Sequence, residues 1–111
     1  MRATLEIDAG ICGLHTTAQV NSKDNQNVTF DISTNCDKIA KLAKAIGEKG
    51  SIDAYQEISP NGPALIMTTV RETLTGCCAG CAVPVGLFKA MQVAAGLALP
   101  KDITIKLAKE D

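Results

Sequence analysis

The chain has 111 residues and a mass of 11.6 kDa, which is room for one domain spanning residues 1–111. Hydrophobic residues at 46% and charged residues at 21% match a folded globular chain and exclude a disordered one. Eleven basic against twelve acidic residues leave no electrostatic footprint for nucleic acid or an anionic membrane, and three aromatics (Phe30, Tyr55, Phe88) cannot build a base-stacking platform. The departure from the ordinary is five cysteines.

Thr4 to Asp8 alternates polar and apolar residues, with Leu5 and Ile7 on one face, and predicts a half-buried strand. Thr16 to Asn21 alternates through Ala18 and Val20, and Val28, Phe30 and Ile32 make a third strand beyond the turn-forming run Asn21–Asn27. Short connections between three successive strands favour an antiparallel meander.

A first helix is predicted over Asp37 to Ile46, where Ile39, Leu42, Ala43 and Ile46 share a face. Thr34 or Asn35 is its expected cap and Gly47 its expected stop. Residues 48–62 read as irregular. Pro63 opens a second helix carrying Ile66, Met67, Val70 and Leu74, although the threonines of Met67–Thr73 leave a strand open for residues 63–75. A third helix runs from Val83 or Pro84 to about Leu97, and Pro100 stops it. Ile103, Ile105 and Leu107 alternate with Thr104 and Lys106 in a final strand. The expected fold is α+β, a two-layer domain with helices on one face of an antiparallel sheet, in the order β-β-β-α-α-α-β.

The start of the chain has no apolar core of the length a secretory signal uses. Its most apolar stretch, Ala82–Leu99, is interrupted by Pro84, Lys89 and Gln92, and reads as a buried helix rather than a membrane span. The expectation is a cytoplasmic protein without nucleic-acid or membrane partners, its thiols kept reduced. The apolar third helix suits assembly with a second copy.

Cys12 falls in the turn after the first strand, Cys36 between the third strand and the first helix, and Cys77, Cys78 and Cys81 between the second and third helices. If each element reverses the last, all five thiols collect at one end of the domain. Cys36 and Cys81 directly precede helices, where free N–H groups and the positive helix end favour thiolate. A single CxxC (Cys78 to Cys81) fits half a zinc site, a redox pair or part of an iron–sulfur site. With Cys12 and Cys36 from separate loops it makes four thiolates, the ligand set of zinc or an iron–sulfur cluster. Cys77 is the alternate ligand and His15, three residues from Cys12, a weaker one. Against this stands the tendency of a free cysteine to pack as a small apolar side chain. The residues thus leave three functions open: a metal or cluster site, a thiol or sulfur relay through Cys81 with Cys78 resolving, and an interaction module. For turnover of an organic substrate the one conceivable pair is Cys12 or Cys81 with His15, and the sequence offers nothing to orient the histidine and no third member.

The pattern from Ile7-Asp8-Ala9-Gly10-Ile11-Cys12-Gly13 to Cys81-Ala82-Val83-Pro84 and Gly96-Leu97-Ala98-Leu99-Pro100-Lys101-Asp102 resembles a small uncharacterised family of anaerobic bacteria and archaea. Where that family usually has proline at position 82 and often histidine at 78, this chain has Ala82 and Cys78. Gly76–Cys81 before an apolar helix is similar to the CxxC loop of NifU-type iron–sulfur scaffolds, which implies cluster binding. Cys81-x-x-Pro84 is similar to the helix start of TusA-like sulfur carriers, which implies a persulfide on Cys81. Both likenesses are local.

Overall fold

The computed structural model describes residues 1–111. Three long strands, β1 (Arg2–Asp8), β2 (His15–Ser22) and β3 (Asn27–Thr34), form the expected meander. A two-residue strand, β4 (Ile52–Asp53), completes a sheet of order β1-β2-β3-β4 in which every neighbour is antiparallel. Ala3, Ala18, Val20 and Val28 are buried on the inner face, while Thr4, Glu6, Thr17, Gln19, Asp31 and Ser33 line a shallow polar depression on the open face. The β2–β3 turn is held by Asp24, whose carboxylate accepts hydrogen bonds from the backbone N–H groups of Gln26 and Asn27 and the side chain of Asn27. These bonds, led by the Asn27 side chain, lower the Asp24 carboxyl to about 2.

Four α-helices follow: α1 (Asp37–Glu48), α2 (Ala54–Ile58), α3 (Leu65–Thr73) and α4 (Val83–Ala94), with a 3₁₀ turn at Gly76–Gly80. Helix α1 packs on β3, α4 lies across β1 and β2, and α3 rests against α1. Ile39, Leu42 and Ile46 of α1, Ile66 of α3, and Leu87 and Met91 of α4 meet the inner sheet face in one core. Helix α4 approaches β1 closely at Gly86, where an added methyl group would stand 3.0 Å from Leu5 Cδ1. Glycine is what permits that approach.

The two-layer α+β architecture agrees with the sequence reading; the element order departs from it within residues 48–62 and at the C-terminal end, and some helix caps and bounds differ. Residues 48–62 contain β4 and α2, made where Asp53 accepts hydrogen bonds from the N–H groups of Tyr55 and Gln56 and caps a short helix. Residues 63–75 resolve as helix, not strand, with Pro63 just outside it. Helix α1 is preceded by Cys36 rather than capped by Thr34 or Asn35, and it continues through Gly47 until Gly50, at φ +69°, turns the chain. Helix α4 ends at Ala94, three residues before the expected end, and Gly96 at φ +76° reverses the chain.

The largest correction is the final strand. Ile103, Ile105 and Leu107 form none, and every residue from Leu99 to Asp111 is exposed. Alternation makes a segment compatible with a sheet, but a strand exists only when its backbone groups have a ladder partner, and this one has none. The span Gly76–Ala94 is long and apolar enough to cross a membrane by length and composition. In the fold it is a 3₁₀ turn and a separate 12-residue helix, the latter covering β1 and β2.

Candidate cysteine site

Antiparallel register sets the first half of the site. Asp8 pairs with His15 across the β1–β2 connection, and Thr16 pairs with Thr34 at the end of β3. The Cys12 turn and the Cys36 junction therefore share one end of the sheet. Within the turn, Gly10 and Gly13 adopt positive φ, and the Gly13 N–H donates to the Gly10 carbonyl at 2.9 Å. This tight reversal leaves Cys12 exposed at its tip.

Cys36 is fixed by a network that the sequence reading missed. Its N–H donates to Thr34 Oγ1 at 3.1 Å, and Thr34 Oγ1 shares a 2.8 Å hydrogen bond with Thr16 Oγ1. Asn35 Oδ1 accepts the His15 N–H at 2.8 Å, tying the junction to the start of β2. Thr34 and Asn35, expected to cap α1, instead bind the sheet end that carries Cys36. Cross-strand pairing about the Ala9–Leu14 turn was the signal that could have exposed these contacts.

The other half comes from the helical layer. Gly86 lies against Leu5 and the α4 terminus at Gly96 lies against Met1, so α4 begins at the cysteine end of β1 and runs to its start. Cys78 and Cys81 occupy the 3₁₀ turn and the residue after it, where the Cys81 N–H donates to the Cys78 carbonyl at 3.1 Å. Cys36, Cys78 and Cys81 are partly buried against the core, whereas Cys77 is exposed. All five thiols are free.

Burial raises the Cys81 thiol above its ordinary pKa. The Val83 N–H donates to its sulfur and opposes the shift, while the nearby thiols of Cys36, Cys78 and Cys12 add to it. Helix-end stabilisation of a Cys81 thiolate is thus present, as expected, but desolvation outweighs it. The same balance brings four cysteines into one electrostatic neighbourhood. No three His, Cys, Asp or Glu side chains converge closely enough to grip a metal ion in this conformation.

His15 has a different setting. Its Nδ1 donates to Asp8 Oδ1 at 2.7 Å, and its Nε2 lies 4.0 Å from Glu6 Oε1. Glu6 belongs to the open face of the sheet, away from the layer holding Cys36, Cys78 and Cys81. The imidazole thus has an orienting partner, and that partner draws it to the carboxylates. A second surface feature, the apolar groove lined by Met67, Pro84, Val85 and Phe88, contains no cysteine.

The thiol environments predict an order of reactivity. At neutral pH, iodoacetamide followed by peptide mass mapping should label Cys12 and Cys77 first and Cys81 last, because the reagent needs an accessible thiolate. Early labelling of Cys81 would contradict the burial argument.

No curated protein and no solved structure matches the chain. A family model does, over residues 3–107, and by that match the chain belongs to the family described as "Family of unknown function (DUF6951)".

Proposed function

We propose that this is a small cysteine-site protein that binds a metal ion or an iron–sulfur cluster through Cys12, Cys36, Cys78 and Cys81, as scaffold, carrier or electron-transfer protein of the cytoplasm. The observation that carries this reading is the company of Cys81: its thiol, raised mainly by burial, is raised further by Cys78 of the same turn and by Cys12 and Cys36 from two other connections. Thiolates crowded together repel, and a cation is what turns that repulsion into attraction. A four-cysteine donor set suits zinc or iron. Cys12 and the 3₁₀ turn would close on the ion, since ligand distances are not met beforehand. When bound, such a centre supplies structural cross-linking or an electron site. The protein's own part is to release thiol protons and exclude water from the Cys36–Cys81 side.

Metal and sulfide analysis with an absorption spectrum on anaerobically prepared protein tests the reading. Stoichiometric zinc, or iron with visible thiolate-to-iron bands, is the expected result. Protein that carries neither and cannot be reconstituted with either overturns it. The sulfur-relay alternative needs a Cys81 thiol of low pKa, and burial of that thiol works against it.

A further inference from the structure

The geometry points to a second site at the opposite end of the logic: the free edge of β1 takes residues Asp102–Leu107 of a second copy as a parallel fifth strand. Strand β1 has one neighbour only, so one row of its backbone N–H and C=O groups is unpaired. The segment that lacks a partner is equally plain. Ile103, Ile105 and Leu107 are 49%, 63% and 95% exposed, an alternating apolar set of the kind that sheets bury.

Side chains select direction and register. Laid parallel to β1 with Ile105 beside Leu5, the segment puts Ile103 next to Ala3 and Leu107 next to Ile7, all on the inner face beneath α4. On the open face Asp102 then lies beside Arg2 and Lys106 beside Glu6, so both charged pairs are of opposite sign. The antiparallel alternative about the same centre sets Asp102 against Asp8, a repulsive pair, and Lys106 against the uncharged Thr4, so both attractive pairs are lost. Charge complementarity therefore favours the parallel arrangement.

The chain's own path favours exchange between copies. Its β1 edge begins beside Gly96, since Met1 touches that glycine, yet residues 99–111 remain exposed. Pro100 biases Leu99 toward extended backbone, and residues 99–111 stand exposed, unpaired with their own edge. The molecule measures 48 × 28 × 26 Å. Two copies that exchange segments close with two-fold symmetry, each edge covered by the other's strand.

Sedimentation equilibrium on the full chain, combined with amide hydrogen exchange, decides the matter. The expected result is a dimer, with the amides of residues 103–107 protected. Ile105→Asp should make it monomeric. Lys106→Glu should weaken dimerisation roughly tenfold, and Lys106→Glu with Glu6→Lys should restore it. Residue 105 is exposed, so a folding defect is not at issue, and circular dichroism checks this. A monomer with residues 103–107 protected would show the chain's own segment on the edge and overturn the exchange. A monomer without protection, or a dimer indifferent to Ile105→Asp, would overturn the edge site altogether.

Discussion

Cys36→Ser and Cys81→Ser should each weaken metal binding by about a hundredfold or more in anaerobic titration with zinc, or with iron and sulfide, whereas Cys77→Ser should stay within about threefold of the parent. Serine keeps the size of the side chain and removes the soft thiolate donor. The asymmetry follows from placement: Cys77 is exposed, while Cys36, Cys78 and Cys81 are partly buried together against the core. Proton competition gives the same titration a pH signature. A thiol with raised pKa must lose its proton to become a ligand, so affinity rises with pH until the medium passes that pKa. Binding that is flat in pH, or lost equally in the Cys77 variant, would sink the ligand assignment.

Glu57→Ala should cost about 2–4 kcal/mol of unfolding free energy, measured by urea denaturation. The Glu57 carboxylate is 4% exposed, and its two oxygens accept the N–H groups of Leu65 at 2.9 Å and Ile66 at 2.6 Å. Those are the first two residues of α3, whose own cap residue, Ala64, has no side-chain acceptor. Alanine would leave two donors of a helix N-terminus without partners in a largely buried place. Glu57→Gln keeps one carbonyl acceptor and should cost roughly half as much. If both substitutions are silent, water replaces the carboxylate and the cap is not structural.

Glu57 also marks the limit of what sequence patterning reveals. Periodicity located β1, β2, β3, α1 and α4 to within a few residues, because each alternates or repeats around one buried face. Residues 48–62 defeated it. Their order depends on a capping carboxylate at Asp53 and on Glu57 reaching eight and nine residues along the chain, and neither leaves a periodic trace. Ile103–Leu107 failed in the opposite sense: the pattern was clear, but a strand is a property of a pair. At the site, direction counting assumed no further elements in residues 48–62, where β4 and α2 lie, so the cysteine connections are related by the strand register and the start of α4 instead. The Cys81 thiol was misjudged, because a helix N-terminus is visible in sequence and the depth of burial is not.

The cysteines hang from different parts of the fold. Cys12 sits on the β1–β2 turn, and Cys36, where β3 passes into α1, is tied to the sheet end through Thr34, Asn35 and His15. Cys78 and Cys81 move with the helices. The distance between the two sets depends on how closely α4 seats on β1, which the bare backbone of Gly86 against Leu5 permits. Any group held between the two sets would act as a rivet between sheet and helices. Its departure would leave the chain fold intact while loosening the angle between the layers.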